Sequence, residues 1–217
     1  SLGSRVFGEC SSLQTVELSG CSALKTIESY AFNGCYQLSG FDFSQLTALK
    51  DIGERAFEGC ALAGDIAFAS GITQLGRSAF SNFPNQGPHE HYITISCRNI
   101  TSVDFSKSTQ LAVISSGTFS SCQSLKKVDL SNCVSLNTLN LAAFEGCSSL
   151  EEVVINNGFY TSIDGVLFVV DKATLLLYPA GKKNEAYTIP STVKTLGERS
   201  FPYNESLMEL TIPESVL

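Results

Sequence analysis

"LAAFEGCSSLEEVVI", residues 141–155, places Phe144, Cys147, Leu150, Val153 and Ile155 at offsets 0, 3, 6, 9 and 11 from its phenylalanine. Neither the 3.6-residue period of a helix nor the two-residue alternation of a strand fits those offsets throughout. The stretch therefore reads as a tight turn running into a short strand. It also recurs. Phe7, Phe32, Phe57 and Phe119 each have a cysteine three residues on, at Cys10, Cys35, Cys60 and Cys122. Offset 6 holds Leu13, Leu38, Leu125 and Leu150, with Ala63 breaking the column, and offsets 9 and 11 hold pairs such as Val16/Leu18, Phe41/Phe43, Ile66/Phe68 and Val128/Leu130. Ahead of the phenylalanines, offsets −8 and −5 are Leu24/Ile27, Leu49/Ile52, Ile72/Leu75, Leu111/Ile114, Leu136/Leu139 and Val193/Leu196.

From Phe7 through Phe32, Phe57, Phe80, Phe119 and Phe144 to Phe201 the steps are 25, 25, 23, 39, 25 and 57 residues. Periods of about 20 to 50 residues mark a solenoid, whose single units cannot bury their own apolar side and rely on stacked neighbours. The form Leu150-x-x-Val153-x-Ile155 predicts a short parallel strand with Val153 and Ile155 pointing inward. The three-residue spacing of Phe144, Cys147 and Leu150 suits one edge of a 3₁₀ turn. Each buried Phe or Leu contributes about 1.5–3 kcal/mol, enough over several stacked coils to offset the entropy of ordering the chain.

The stretches "AFNGC", "RAFEGC" and "AFEGCSSLEEVVI", with "SIDGVLFVVDKATLLLYPAGKKNEAYTIPSTVKTLGERSF", resemble leucine-rich repeats of the BspA type, and the likeness covers nearly the whole chain. It implies an α/β repeat solenoid: a right-handed superhelix of short parallel strands with turn or 3₁₀ segments, interrupted by a β-hairpin. Repeats are expected over 1–155 with an irregular insertion near 81–99, a hairpin insertion over 156–186, and further repeats over 187–217. The resemblance also implies a bacterial surface or secreted protein whose partner is a host matrix protein, a cell-surface protein or a glycan. A passive stalk presenting another domain is the alternative.

Composition fits one elongated domain: 217 residues, 43% hydrophobic and 16% charged. A net charge of −7 argues against nucleic acid or an anionic membrane as partner, since either needs a basic footprint. No apolar run approaches the roughly 18 residues of a membrane span, and the first residues do not form a signal peptide. Both ends fall inside repeats, which fits either a mature form or a piece of a longer protein.

Eight cysteines would suit a disulfide framework, but five of them share offset 3 and Cys21 and Cys133 share offset −11, so they read as small buried hydrophobes. Cys97 alone lies outside a clear register. Zinc is disfavoured because there is no C-x-x-C pair.

The first interruption, "SNFPNQGPHEHYITISCRN" at 81–99, holds the only histidines, His89 and His91, flanking Glu90. On an extended backbone the two imidazoles share a side, yet two ligands without a third make a weak metal site. No metal or cofactor is expected, and a metal-dependent module at His89-Glu90-His91 remains an alternative reading. In the second, "GVLFVV" and "TLLLY" flank Asp171-Lys172-Ala173 as a β-hairpin. It serves either as a spacing element or as a binding loop carrying Tyr160, Tyr178, Lys182 and Lys183.

There is no G-x-S-x-G elbow, Walker loop or H-E-x-x-H, and the chain is not expected to be an enzyme. Offset 10, the outward position between the strand apolars, carries Glu17, Asp42, Asp104 and Asp129, with Ala67, Val154 and Thr211 in the same column. These acids and their neighbours Thr15, Ser102 and Lys127 are the candidate binding residues. Solubility and protection from edge pairing offer a purely structural account of the same acids.

Overall fold

The structure, a computed structural model, describes residues 1–82, 97 and 99–216. The chain winds as a parallel-strand solenoid of about seven turns, marked by Phe7, Phe32, Phe57, Phe80, Phe119, Phe144 and Phe201. The offset −5 residues from Ile27 to Leu139 lie on one parallel sheet of two-residue strands, Thr26–Ile27, Asp51–Ile52, Gln74–Leu75, Val113–Ile114 and Thr138–Leu139. The offset 9 residues lie on a second, made of Ala63–Ala67, Asn99–Asp104, Lys127–Asp129 and Glu152–Val154.

A third ladder runs along the phenylalanine turns, where inter-coil amide bonds form without regular strands. Phe7 N–H donates to Ala31 O, Phe32 to Ala56 and Phe57 to Ala79, each at 2.8 Å. The chain bends sharply beside these phenylalanines. Arg5, Tyr30, Arg55 and Ser78 precede it by two residues with positive φ, while Gly34, Gly59 and Gly146 follow by two with φ of 74–76°. Glycine suits this left-handed position because it lacks the Cβ clash. That accounts for the recurring G in F-x-G-C.

One 3₁₀ segment, Leu141–Phe144, is the only helical element among the described residues. The α/β description therefore gives way to a β-solenoid. The physical reason is the three-residue spacing of the turn, which closes with i+3 hydrogen bonds such as Cys35 N–H to Phe32 O and leaves no room for an α-helical crossover.

The core is a seam of aromatic rings. Phe32 stacks on Phe7 and on Phe57 at 5.1 Å, and Phe57 on Phe80 at 5.3 Å. Phe41, Phe43 and Phe68 meet these rings edge-on from the strand side. Where Ala63 interrupts the leucine column, Ala63 is exposed, Leu62 lies in the core, and the strand register shifts between Gly64 and Asp65.

The cysteine column has a function of its own in packing. Four of its thiols donate to the carbonyl of the phenylalanine one coil earlier: Cys35 to Phe7 (3.1 Å), Cys60 to Phe32 (3.2 Å), Cys122 to Phe80 (3.4 Å) and Cys147 to Phe119 (3.1 Å); Cys10 and Cys21 are exposed, against the expectation of burial. Cys97 joins the four, 3.5 Å from Phe57 O and fully buried. This corrects the expectation that Cys97 stands outside the register. The 39-residue step from Phe80 to Phe119 is the usual 25 plus 14, and removing residues 83–96 restores the period. A chain with 83–96 deleted, joining Asn82 to Cys97, is expected to fold with a melting temperature within a few degrees of the parent. A large loss in a thermal scan would contradict the placement of Cys97. All eight cysteines are free thiols, and burial pushes Cys97 and Cys147 up to about 12.

The segment expected as a hairpin is a three-stranded antiparallel meander, Tyr160–Ile163, Val166–Val169 and Thr174–Leu177. Asp164 and Gly165, both with positive φ, form the two-residue turn that joins its first two strands. The third strand pairs in parallel with Thr195–Leu196, restarting the solenoid. The meander lies between two cores, sending Leu167 and Leu177 into the large one and Val166, Phe168 and Leu175 into a smaller one with Tyr178, Ile189 and Val193.

Candidate functional site

The four-stranded sheet sets the candidate residues in register. On its outward side Asp65 pairs with Ser102, Ser102 with Lys127, and Lys127 with Glu152; two positions on, Ala67 pairs with Asp104, Asp104 with Asp129, and Asp129 with Val154. Thr15 belongs to the first of these columns through a single parallel bridge to Gly40. Glu17 and Asp42 follow in the first two coils, where no longer strand forms. Asp104 and Asp129 thus form an in-register pair next to Ala67, while Glu17 and Asp42 each lie two residues beyond the Thr15–Gly40 bridge. Thr211 lies elsewhere, paired with Thr188 in a two-stranded sheet.

Each acid also holds its own turn. Glu17 accepts the N–H of Ser19 at 3.1 Å, Asp42 that of Ser44 at 2.8 Å, Asp104 that of Ser106 at 2.7 Å and Asp129 that of Ser131 at 3.0 Å. A side-chain oxygen satisfying the amide two residues on is a local turn device. The sequence signal was acid, apolar residue, serine: Glu17-Leu18-Ser19, Asp42-Phe43-Ser44, Asp104-Phe105-Ser106 and Asp129-Leu130-Ser131. Charge and turn closure are therefore combined in one side chain.

The neighbouring column is tied together laterally. Thr101 and Ser102 hydroxyls each donate to Asp65 at 2.7 Å, and these bonds hold its carboxyl below the ordinary range. Lys127 Nζ lies 3.0 Å from Glu152 Oε1. That contact raises the lysine, with Asp129 and Asp104 adding to it through space. The face is acidic, with Lys127 set among its carboxylates.

A second concavity, a groove of about 430 Å³, opens beside the two-residue strands and includes Glu28, Asp51, Glu54, Gly53 and Gly76. Its glycines serve coil packing: a Cβ at Gly53 would stand 2.5 Å from Ser29 N, and one at Gly76 2.6 Å from Glu54 N. Glu28 and Asp51 are occupied by Ser4 N–H and the Thr73 hydroxyl.

Glu58, buried on the phenylalanine side, was not singled out by sequence. Asn33 Nδ2 donates to it at 2.9 Å and the Ser81 hydroxyl at 3.1 Å. Burial raises its carboxyl above the ordinary value, with Arg55, Ser81 and Asn33 acting in the opposite sense. A raised folded value means that the folded state binds the proton more tightly than the unfolded one. Glu58 therefore contributes most to stability below the unfolded carboxylate range, and that contribution is lost as pH rises through its folded value. Glu58→Gln retains an oxygen for Asn33 and an amide for Ser81 without the buried charge. The variant is expected to gain on the parent as pH rises from about 4 to about 7; urea titrations at several pH values read the difference, and a flat difference contradicts it.

His89, Glu90 and His91 lie outside the described residues. Among the described residues no three of His, Cys, Asp and Glu gather in a metal-binding group, and no helix is long and apolar enough to cross a membrane.

The sequence profile of the BspA type leucine rich repeat region matches in six copies, over residues 1–86, 90–174 and 180–217. The pneumococcal vaccine antigen PcpA is similar in structure, with a TM-score of 0.66 and 28% identity over 90% of this chain and 44% of that one. A leucine-rich repeat protein from Eubacterium ventriosum gives 0.60 and 22% over 88% and 46%. The leucine rich repeat protein of T. pallidum gives 0.50 and 25% over 88% and 64%. The chain thus spans less than half the length of the first two. No curated protein matches it in sequence.

Proposed function

This chain belongs to the BspA type leucine-rich repeat family, and from that premise we propose that it is a noncatalytic recognition scaffold of the bacterial surface or extracellular space, binding a protein partner across the outward face of its four-stranded sheet. Glu17, Asp42, Asp104 and Asp129 supply the charge, and Thr15, Ser102 and Lys127 the adjoining polar contacts. The observation carrying this reading is the in-register outward columns, which repeat the same side-chain positions at one strand spacing of about 4.8 Å and so suit a partner that spreads contacts along the solenoid. The likeness to a pneumococcal vaccine antigen supports the surface setting.

The test is a binding screen against host matrix and cell-surface proteins, repeated with Asp104→Asn/Asp129→Asn. Asparagine keeps the oxygen that closes each turn and removes only the charge, so a fall in affinity with an unchanged melting temperature supports the face. Full binding by this variant and by Glu17→Gln/Asp42→Asn would remove it.

A further inference from the structure

Where the meander lands on the last strand of the main sheet, it leaves an open notch of about 320 Å³ lined by Lys126, Lys127, Glu151, Glu152, Asp164 and Lys182. Its walls are fixed by backbone packing. Val153 N–H donates to Gly165 O at 3.2 Å and Gly181 N–H to Leu150 O at 2.7 Å. A Cβ at Gly165 would come within 2.6 Å of Glu152 Cβ, so the meander turn is seated directly on the strand.

On a chain with a net charge of −7, three of the 14 lysines and arginines line this one notch. They are not equally neutralised. Lys127 is paired with Glu152. Lys182 Nζ donates to the backbone carbonyl of Asp164 at 2.6 Å and stands 6.0 Å from the Tyr178 ring centre, contacts that position its charge without cancelling it. Among the described residues neither Lys126 nor Lys182 makes an ion pair, and the Glu151 and Asp164 carboxylates have none either.

Resting on the reading of the adjoining face as a recognition surface, we propose that the notch is a subsite for one carboxylate side chain, Glu or Asp, from an extended segment of a protein partner. The incoming carboxylate sits between Lys126 and Lys182, and a backbone N–H or basic residue beside it meets Glu151. The cavity is at the small end of ligand sites, which run from about 300 to 1,000 Å³, and takes one or two side chains. A polyanionic glycan fits poorly, because Glu151, Glu152 and Asp164 line the same notch and would repel its repeating charges over about a Debye length, roughly 8 Å. A peptide can offer one anion with neutral or basic neighbours.

The experiment uses the full chain labelled with ¹⁵N and the blocked peptide Ac-Lys-Gly-Glu-Gly-Lys-NH₂ at low salt. Shifts are expected at the amides of Lys126, Lys127, Glu152, Gly165 and Lys182, and they should vanish when glutamine replaces the peptide glutamate. Lys126→Gln, an exposed change without a folding cost, is expected to weaken the response about tenfold, as is Lys182→Met, which keeps the stem over Tyr178. The proposal is overturned by equal shifts with the glutamine peptide, by stronger notch binding of glucuronate than of the peptide, or by no shift at the notch. A notch that stays silent while a partner protein still depends on Asp104 and Asp129 overturns only this subsite. A notch that takes the peptide while no partner is found in the screen removes the wider reading instead.

Discussion

Phe57→Ala is expected to lower the unfolding free energy by about 4 kcal/mol. Phe57 has no exposed surface and stands at the crossing of two aromatic rows. It stacks on Phe32 at 5.1 Å and on Phe80 at 5.3 Å, and Phe41 and Phe43 meet it edge-on at 4.8 and 5.2 Å. Removing the ring takes away its own burial and leaves four others facing a void that the inter-coil amide ladder prevents from closing. Phe144→Ala should cost less. Its ring retains 5% exposure and has one stacked partner, Phe119, at 6.3 Å. Glu145→Ala, which loses only an exposed ion pair to Arg199, should change little. Denaturant titrations of the three variants give the order, and equal losses for Phe57 and Glu145 would refute the stacked seam.

Gly181→Ala is expected to cost about 3 kcal/mol, although it adds one methyl group. A Cβ at Gly181 would lie 2.2 Å from the carbonyl carbon and 2.4 Å from the oxygen of Ser149, and 2.7 Å from Leu150 N. All three are backbone atoms of the Phe144 coil, so no side chain can turn aside. The clash must push the meander off the coil and break the Gly181 N–H bond to Leu150 O. Gly158→Ala is the control, since nothing lies within 4 Å of its added Cβ. A melting temperature for Gly181→Ala close to that of the control would mean that the meander is not seated on Ser149 and Leu150.

The phenylalanine, cysteine and leucine columns were legible because burial repeats with the coil. Phe32, Cys35 and Leu38 occupy equivalent places to Phe57, Cys60 and, one position early, Leu62. Cys97 escaped because register was counted along the chain, whereas its thiol meets the Phe57 carbonyl from a position 17 residues after Phe80 rather than three. The first meander strand, Tyr160–Ile163, was missed because Gly165 was read as punctuation alone, although Asp164-Gly165 between apolar residues is a turn signal. For the acids, spacing predicted their outward place but not their bonds to Ser19, Ser44, Ser106 and Ser131. Periodicity encodes which way a residue points, and a local hydrogen bond is set by what lies two residues on. The notch was the least legible, since Lys126 and Lys182 come together only through the path of the meander.

The thiol-to-carbonyl bonds give the molecule a built-in gauge of local opening. Cys10 and Cys21 are exposed, whereas Cys35, Cys60, Cys97, Cys122, Cys133 and Cys147 are buried. An alkylating reagent added to the native protein therefore meets two sulfur atoms at once and the other six only as their coils part. The rate at which each is capped maps, turn by turn, where the winding loosens first.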